Sequence, residues 1–434
     1  DVVIGARSAV FAPLPALGLI IVDEEHEGSF KQDITPRYHA RDVAVCRASR
    51  EGALALLGSA TPSLETWRNA MTGKYEKVEL PRRINNLPMP PVEIVDLGVE
   101  MQESKGRVVL GGRLRRAVNS ALERREQVIL FLNRRGFATS IQCPKCGFVL
   151  KCHQCDAALT YHRTVNLARC HYCLHEEPPP EKCPACGQPN IKQTGLGTQR
   201  AEDSLAKMFP GRVIVRMDTD TMRGRGKHRE ALDRVQSGEA DILLGTQMIA
   251  KGLDFPNVTV VGVINADTAL NMPDFRAAER CFQLLAQVAG RAGRGPKGGI
   301  VFVQTFSPNH PCIRAAAAHD YAAFAAMELV HRKEFGYPPF TRLARIVCEA
   351  KTDKAAEEEA AAIASALCDA GAPHGAEVLG PAPAAVSRLR GKSRWHMLVK
   401  APTSQALHHA LDALGGGRSR GVQVTVDVDP VNML

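Results

Sequence analysis

Eight cysteines in four Cys-x-x-Cys pairs constrain the fold of this chain more than any other feature of its sequence. The pairs are Cys143/Cys146, Cys152/Cys155, Cys170/Cys173 and Cys183/Cys186. Two such pairs supply four thiolates, the set that holds one tetrahedral Zn²⁺ ion in structural sites. A disulfide framework is the alternative, but the sequence has no charged start followed by an apolar run and a small-residue cleavage site. The cysteines therefore predict two zinc ions per chain.

The spacing of the pairs also predicts which of them share an ion. Fourteen residues separate Cys155 from Cys170, which is close to the spacing of a zinc ribbon. The two inner pairs are therefore predicted to form one site, and the two outer pairs are predicted to close over it. Joining the first two pairs instead, across the short spacer 147–151, stays open as a cramped alternative. Four nearby histidines are expected to be exposed rather than ligands: His153, His162, His171 and His175.

Composition limits the class of protein. The chain has 434 residues, 45% of them hydrophobic, which suits two to four globular domains. Its net charge of +9 favours a polyanionic partner. No apolar run approaches membrane-spanning length, so no membrane partner is predicted. Because the chain starts at Asp1 in a strand-like Val-Val-Ile, we expect it to be a fragment that lacks an N-terminal part.

Apolar runs that alternate with helical patterns predict an α/β fold. A first block, 1–75, has strands at 17–22 and 53–57, and a Pro-rich connection follows at 76–100. A second block, 101–142 and 188–308, has strands at 128–132, 213–217, 242–244, 258–264 and 300–304, with the cysteine-rich insertion at 143–187. The remainder, 309–434, predicts a small α+β domain with elements at 343–350, 355–370, 396–400, 404–414 and 422–428.

Acidic residues follow the first predicted strand, in the motif Asp23-Glu-Glu-His26. Parallel α/β sheets bind ligands at this edge. Enzymes that hydrolyse nucleoside triphosphates place one carboxylate there to hold Mg²⁺ and another to orient the attacking water, which are the roles predicted for Asp23 and Glu24. An acidic turn after a core strand is the alternative. Glu25 and His26 extend the match, and Ser59 and Thr61 of Gly58-Ser-Ala-Thr61, after the next strand, are predicted to couple nucleotide hydrolysis to movement.

Two further motifs lie in the second block. In Gly245-Thr-Gln-Met-Ile-Ala-Lys-Gly-Leu-Asp254, Gly252 allows close backbone approach, and Asp254 is predicted to contact a ribose or a Mg²⁺-linked water. Gln287-Val-Ala-Gly-Arg-Ala-Gly-Arg294 places Arg291 and Arg294 three residues apart, on one side of a predicted helix, where guanidinium groups reach phosphate. Gln287 is predicted to help couple ATP hydrolysis to movement. A solvated basic helix end is the alternative for this motif taken alone, but four motifs in order favour nucleotide chemistry.

A phosphate-binding G-x-x-x-x-G-K-[ST] loop does not occur in the sequence. The nearest match, Gly391-Lys-Ser393, has the β-branched Val386 where the first glycine belongs. We interpret it as a basic loop that contacts DNA through Arg388, Arg390 and Lys392. The chain by itself is therefore expected not to hydrolyse ATP at the rate of a motor.

Together these residues resemble the PriA family of bacterial primosomal replication-restart DNA helicases (primosomal protein N′), in helicase superfamily 2. The resemblance rests on Gly5-Ala-Arg-Ser-Ala9, the acidic motif, the four cysteine pairs, the two motifs of the second block and Tyr337-Pro-Pro-Phe340. It implies two RecA-like helicase lobes, the first one incomplete, with a two-zinc module inserted into the second. It also implies that the C-terminal α+β domain binds DNA or partner proteins.

The resemblance further implies a function in the bacterial cytoplasm, at the nucleoid. Members hydrolyse ATP, bound with Mg²⁺, to move 3′ to 5′ along single-stranded DNA. They recognise stalled forks and assemble a primosome with partner proteins and single-stranded-DNA-binding protein. An aromatic and basic segment that stacks on a strand is implied at Phe30, Lys31, Arg37, Tyr38 and Arg41. Two alternatives stay open: a non-catalytic zinc-containing docking module with a vestigial motor, and a restriction-type or chromatin translocase, which predicts no zinc insertion.

Overall fold

The computed structural model describes residues 1–81, 88–104, 108–132, 140–162, 165–189, 191–193, 198–218, 222, 226–246, 249, 255–293, 297–415 and 421–433. The chain divides into two compact units. Unit 1 comprises Asp1–Val78, His171–Leu174 and Leu329–Leu434, and unit 2 comprises Glu79–Cys170 and His175–Glu328.

The first part of unit 1 is a parallel β-α-β element. Strand β1 (Leu19–Val22) pairs in parallel with β2 (Leu54–Leu57), and helix α1 (Ala40–Glu51) connects them. Helix α2 (Leu64–Met71) follows. Alanines at 40, 44 and 48 bury one face of α1, and Val10 and Val22 complete this small core. The opposite face of the two strands is exposed and apolar, with Ile21 at 61% and Leu54 at 65% exposure.

Unit 2 is built on a six-stranded parallel sheet. In pairing order its strands are β10 (Ile214–Met217), β11 (Ile242–Gly245), β4 (Gln127–Phe131), β12 (Val258–Val263), β13 (Ile300–Thr305) and β3 (Val92–Asp96). Every residue of β4 and β12 is buried, as expected for central strands that are covered on both faces. Side chains alternate between the faces, so that Ile129 and Phe131 enter one core while Val128 and Leu130 enter the other.

Helices cover both faces of this sheet. They are α3 (Leu97–Ser104), α4 (Gly112–Glu123), α5 (Thr198–Met208), α6 (Lys227–Gln236), α7 (Asp267–Leu270), α8 (Ala277–Ala289), α9 (Pro311–Ala317) and α10 (Tyr321–Glu334), the last of which continues into unit 1. Helix α4 packs Leu114 and Val118 into one core, and α8 packs Phe282 into the other.

The second block is larger than the sequence predicted. Strand β3 lies in the stretch 76–100 that was predicted to be a connection, yet its register with β13 makes it the edge of the sheet. Helices α9 and α10 lie beyond the predicted end at 308, and Ile313 and Phe324 are buried in the same core as Phe282. Short amphipathic segments at the margins of a domain carry too little periodic signal to be assigned to it from sequence.

The cysteine-rich region folds as short strands and turns. Strand β5 (Ile141–Gln142) pairs with β9 (Lys192–Gln193), and β6 (Thr160–His162), β7 (Leu167–Arg169) and β8 (Glu176–Glu177) form a small antiparallel sheet. With so little regular structure, the cores of such modules depend on bound metal.

The C-terminal part of unit 1 is a four-stranded antiparallel sheet. Its order is β15 (Glu377–Leu389), β16 (Lys392–Ala401), β14 (Arg342–Ala350) and β17 (Gln423–Val428). Helices α11 (Asp353–Gly371) and α12 (Ser404–Asp412) pack on it, with Leu367 and Leu407 in the shared core. Short 3₁₀ turns occur at Arg7–Phe11, Gly28–Phe30, Ala372–His374 and Ala413–Gly415. Among the described residues, no helix is both long and apolar enough to cross a membrane.

Strand β15 was not predicted, and the basic segment 388–394 was interpreted as a loop. Pro381 and Pro383 argue against a central strand, because proline cannot donate a ladder hydrogen bond. The structure resolves the conflict by placing β15 at the edge of the sheet, with register shifts around both prolines. The basic segment is thus the end of a β-hairpin.

Candidate active site and metal centres

The acidic motif forms a tight turn at the carboxyl end of β1. Glu24 has a left-handed backbone (φ 48°), and its N–H donates to Asp23 Oδ1 at 2.9 Å. This geometry leaves Asp23 exposed and the Glu24 side chain 50% exposed, at the edge where parallel sheets bind ligands. The two carboxylates predicted to act on a nucleotide are therefore both open to solvent.

Glu25, the next residue, points the other way and is 1% exposed. Its carboxylate accepts hydrogen bonds from the Ser63 N–H (2.6 Å), the Thr66 hydroxyl (3.0 Å) and Arg41 Nη1 (3.1 Å). Ser63 is the N-cap of α2, so Glu25 connects the acidic turn to the start of that helix.

His26 connects the acidic turn to the turn after β2. Its Nδ1 lies 2.7 Å from Ser59 Oγ, and Ser59 Oγ in turn accepts the Thr61 N–H at 2.9 Å. Backbone bonds reinforce this link, because the Glu25 N–H donates to the Gly58 carbonyl at 3.0 Å. The structure thus brings together residues of the two motifs that lie more than thirty positions apart in the sequence.

The motifs of unit 2 are described only in part. Gly252, Asp254 and Arg294 lie outside the described residues. Gln287 lies on α8, but that helix ends at Ala289, so Arg291 follows it in a turn and its N–H donates to the Val288 carbonyl. The prediction that Arg291 stands on a helix is therefore wrong. The Gly290 N–H is the last to donate four residues back, to the Ala286 carbonyl, so the helical hydrogen-bond ladder stops one residue before Arg291.

Each cysteine pair forms the same backbone turn. The N–H of the first cysteine donates to the carbonyl five residues later: Cys143 to Phe148, Cys152 to Ala157, Cys170 to His175 and Cys183 to Gln188. The residue after each second cysteine has a left-handed backbone: Gly147, Asp156, Leu174 and Gly187. Four copies of one turn aim eight sulfurs in pairs, as zinc-binding loops require.

The eight sulfurs fall into two sets of four, as the nested arrangement predicts. Cys143, Cys146, Cys183 and Cys186 form one set, and Cys152, Cys155, Cys170 and Cys173 form the other. Within each set all ligand atoms lie within 4.8 Å of one another.

The geometry of these sets fits zinc. In the outer set, Sγ–Sγ distances are 3.7 Å for Cys143 and Cys186 and 3.6 Å for Cys146 and Cys183. A tetrahedral ion with Zn–S bonds of about 2.3 Å separates its ligands by about 3.8 Å. The donor set and its spacing therefore suit one zinc ion per site.

Of the four nearby histidines His153 is exposed as predicted, but His162 and His175 are half-buried and His171 is buried, contrary to the sequence prediction. His171 is 4% exposed, its Nδ1 lies 3.3 Å from the Pro383 carbonyl, and its own carbonyl accepts from His396 Nε2 at 2.7 Å. These partners lie on the C-terminal sheet, about 200 residues further along the chain, which a sequence cannot reveal.

Sequence reasoning missed Asp267, which lies at the start of α7 and is 1% exposed. Its carboxylate accepts from Gln142 Nε2 (2.9 Å), the Phe306 N–H (2.8 Å) and the Ser307 hydroxyl (3.0 Å), and its burial raises its pKa. Gln142 precedes the first zinc ligand, so Asp267 holds the entry to the cysteine-rich region against the sheet. The only available signal was an acid after the apolar strand 258–264.

The aromatic and basic segment predicted to clamp DNA makes mostly internal contacts. Lys31 is 6% exposed and its ammonium contacts Asp427 (2.9 Å) and the Val428 carbonyl (2.6 Å). Phe30 and Tyr38 pack against the core around Val10 and Val22. The ammonium of Lys31 is thus occupied by a buried ion pair, whereas Phe30 and Tyr38 are only half-buried, and DNA binding by this segment stays a prediction.

Arg41 is also occupied, by Glu25 and by Asp42 at 2.9 Å, with its side chain 12% exposed. Arg37 is half-buried. Beside them, burial lowers the pKa of the His39 imidazole to about 4, so it is neutral at pH 7.

The basic hairpin is arranged differently. Leu389 pairs with Lys392, and the two residues between them, Arg390 and Gly391, both have positive φ (50° and 78°), which is the two-residue turn that suits strand twist. Arg388 and Arg390 are exposed, while Lys392 Nζ donates to the Gln423 side chain at 3.1 Å.

Three family models match parts of the chain. Residues 152–178 match the PriA DNA helicase Cys-rich region domain, and 197–296 match the helicase conserved C-terminal domain. Residues 333–431 match the primosomal protein N C-terminal domain. The matches follow the order of the cysteine-rich region, the parallel sheet and the C-terminal domain.

Among solved structures the similarity is lower. The chain is 12% identical to Saccharomyces cerevisiae Dbp5 bound to RNA and ADP BeF3, over 73% of this chain and 63% of that one, with a TM-score of 0.33. It is 14% identical to the Mycobacterium smegmatis helicase Lhr bound to ssDNA and AMP-PNP, over 72% and 32%, with a TM-score of 0.37.

Curated relatives match the chain from end to end. Replication restart protein PriA of Synechocystis sp. is 45% identical over 100% of this chain and 53% of its own length, and that of Bacillus subtilis is 43% identical over 100% and 54%. The Treponema pallidum protein of the same name is 44% identical over 100% and 65%. The chain thus spans about half to two thirds of the length of these relatives. On its sequence, its paired cysteine sites and its helicase-like sheet, it belongs to the PriA family of replication restart proteins.

Proposed function

We propose that this chain forms a large part of an ATP-dependent DNA helicase of replication restart. The helicase translocates 3′ to 5′ and initiates primosome assembly at stalled forks. The observation that carries the proposal is the acidic turn. Its two exposed carboxylates, Asp23 and Glu24, stand at the ligand-binding edge of a parallel strand pair, while Glu25 and His26 fix the turn from behind.

In the proposed reaction Asp23 binds the Mg²⁺ of the nucleotide through water, and Glu24 orients the attacking water. Arg291 stabilises charge on the phosphoryl group in the transition state. His26 transmits the position of the acidic turn to Ser59 through their 2.7 Å contact. The phosphate-binding loop, which this chain does not contain, is contributed by another polypeptide segment.

The two cysteine sites each hold one zinc ion in this proposal, and zinc supplies only structural stability there. The ions fix the turns of a region that has little core of its own. The exposed Arg388 and Arg390 at the hairpin turn bind the phosphates of single-stranded or forked DNA. Primosome proteins and single-stranded-DNA-binding protein are the proposed partners.

A strand-displacement assay tests the proposal. The protein is a chimera in which this chain replaces the matching region of the Bacillus subtilis relative, 54% of that protein's length. It is given duplexes that carry either a 3′ or a 5′ single-stranded tail. We expect ATP-dependent unwinding of the 3′-tailed duplex only. Binding of both duplexes without unwinding favours a non-catalytic docking module instead, and unwinding of the 5′-tailed duplex contradicts the proposed polarity.

A further inference from the structure

The segment Tyr337-Pro-Pro-Phe340, called the junction segment here, has no role in the function proposed above. It lies in unit 1, between helix α10 and strand β14. Two other parts of unit 1 contact it: helix α2, which follows strand β2, and His171–Leu174, called the zinc-loop segment here because it contains the ligand Cys173.

The carboxyl-terminal end of the junction segment holds helix α2. Arg68 on α2 donates from Nη1 to the Pro339 carbonyl at 2.9 Å, and its guanidinium carbon lies 4.4 Å from the centre of the Phe340 ring. A guanidinium plane that both donates to a carbonyl and lies over an aromatic ring is fixed in position as well as direction, which a lysine cannot reproduce.

The other end of α2 holds the acidic turn. Glu25 accepts hydrogen bonds from Ser63 and Thr66, the N-cap and the third residue of this helix. Helix α2 has only eight residues. Ser63, which binds Glu25, and Arg68, which binds the junction segment, are therefore little more than one helical turn apart. A displacement of Arg68 is therefore transmitted to Glu25 through a single rigid element.

The amino-terminal end of the junction segment contacts the zinc-loop segment. The Tyr337 ring is 2% exposed and lies edge to face against Tyr172, with ring centres 6.3 Å apart. Lys400 Nζ lies 5.2 Å from the centre of the same ring. The zinc-loop segment is held on its other side by the hydrogen bond from His396 Nε2 to the His171 carbonyl.

The junction segment itself is fixed between these contacts. The Tyr337 N–H donates to the Arg332 carbonyl at 2.7 Å, and Arg332, which is fully buried, donates from Nη1 to the Pro338 carbonyl at 3.3 Å. The two prolines add stiffness because their φ angles are fixed. A rigid segment with contacts at both ends passes strain between them rather than absorbing it.

We propose that Arg68 is a positioning residue for the acidic motif, and that the junction segment couples the order of helix α2 to metal binding at the inner cysteine site. Loss of zinc from that site lowers the order of Tyr172, then that of Tyr337, and finally that of helix α2. Loss of the Arg68 contact loosens the zinc-loop segment in the reverse direction, since coupling between two sites is reciprocal.

The test uses the zinc-loaded 434-residue protein and two readouts that do not depend on ATP hydrolysis. One is hydrogen–deuterium exchange of peptides that cover the acidic motif (23–26), helix α2 (62–71) and the zinc-loop segment (171–174). The other is the rate of zinc release into a chelator, in which the inner-site phase is the one that disappears in the Cys152→Ser protein. The variants are Arg68→Ala and Tyr337→Ala. Arg50→Ala, an exposed arginine at the end of α1, is the matched control.

Each substitution is expected to change the measurement at both ends of the junction segment, and not only at the end where the substituted residue lies. Arg68→Ala should speed inner-site zinc release by a factor of about 2–30, the range that corresponds to coupling of this kind, with outer-site release unchanged. Tyr337→Ala should raise exchange in α2. The conservative Tyr337→Phe should raise exchange in α2 less than Tyr337→Ala does, because it keeps the ring that makes the edge-to-face contact.

Arg68→Lys and Phe340→Leu keep the test decisive if Arg68→Ala unfolds unit 1. Both retain bulk at the contact but remove the stacked geometry, and both should speed inner-site release in a folded protein. The proposal is overturned if Arg68 variants loosen only α2 while Tyr337→Ala alters only zinc release, because the two contacts are then independent. The outcome does not depend on the proposed helicase activity.

Discussion

Nδ1 of His26 lies 2.7 Å from the Ser59 hydroxyl oxygen, which joins the turn after the first strand to the turn after the second. Glu25, between His26 and the exposed acids, turns inward to Ser63 and Arg41. One four-residue motif therefore presents two carboxylates to solvent and uses its other two side chains to hold itself in place. The predictions below separate these two roles.

Replacing Glu25 should destabilise unit 1. Glu25→Gln leaves the buried Arg41 guanidinium without its second carboxylate, and removal of one partner of a buried pair costs about 3–5 kcal/mol. We expect the lower end of this range because Asp42 stays in contact. Urea unfolding followed by tryptophan fluorescence measures it, since both tryptophans, Trp67 and Trp395, lie in unit 1.

The control for that experiment is Glu51→Gln. Glu51, whose side chain is 39% exposed, is in a salt bridge with Arg47 on α1. Arg47 keeps its hydrogen bonds to the Val10 and Ala12 carbonyls in this variant, so the loss should stay near the value of about 0–1 kcal/mol for surface pairs. Equal losses for the two variants would mean that the buried carboxylate adds nothing beyond an ordinary surface charge.

Zinc should be present at two ions per chain, one in each cysteine set. Cys152→Ser and Cys143→Ser should each remove one ion, because the two residues belong to different sets. Cys46→Ser, at an exposed cysteine of α1, should leave both in place. Metal analysis of the purified proteins gives the result. Loss of both ions from either single variant would show that the sites do not bind independently.

The hairpin turn should contribute to the salt dependence of DNA binding. Arg388→Ala and Arg390→Ala should each reduce the slope of log affinity against log salt by about 0.7, the value for one lost contact with a phosphate of single-stranded DNA. Lys354→Ala removes another exposed positive charge, from helix α11, and is the control. Fluorescence titration at several salt concentrations measures the slope, and an identical decrease for all three variants would argue against a specific site.

Acid should destabilise unit 1 in part through His39. Burial lowers the pKa of this imidazole to about 4 in the folded chain, whereas the unfolded value is 6.5. Between these values the unfolded chain binds the extra proton, so stability falls as the pH decreases from 6.5 towards 4. From pH 7 to pH 5 the loss is about 2 kcal/mol.

The His39→Asn variant has no titrating group at this position. Its stability should therefore fall less than that of the wild type between pH 7 and pH 5, and the difference should equal the loss given above for His39. The measurement is again urea unfolding by tryptophan fluorescence, at pH 7 and at pH 5, for the variant and the wild type. Equal pH dependence in the two proteins would remove His39 as a source of acid sensitivity.

Local sequence patterns predicted much of the second block and of the metal sites. The strands around Ile129 and Val261 are continuous apolar runs, which central parallel strands require. The pairing of Cys155 with Cys170 followed from spacing alone. Such features depend on residues that are close in the sequence.

Contacts between distant residues were not predictable in the same way. Lys31 is a residue type that commonly binds DNA, yet its ammonium contacts Asp427, nearly four hundred positions away. Tyr38 is a residue type that commonly stacks on bases, yet its ring packs against a small core. Strand β15 was missed because Pro381 and Pro383 exclude a central strand, and nothing local indicates that this strand is at an edge.

DNA-stimulated ATP hydrolysis by the chimera with the Bacillus subtilis relative tests the central claim most directly. In the chimera, Glu24→Gln should reduce turnover by a factor of about 10²–10⁴, the contribution of a positioned acid or base, without changing the affinity for single-stranded DNA. Glu51→Gln should leave turnover unchanged. Near-normal turnover by the Glu24→Gln chimera would contradict the account, because the acidic turn of this chain would then have no part in the chemistry.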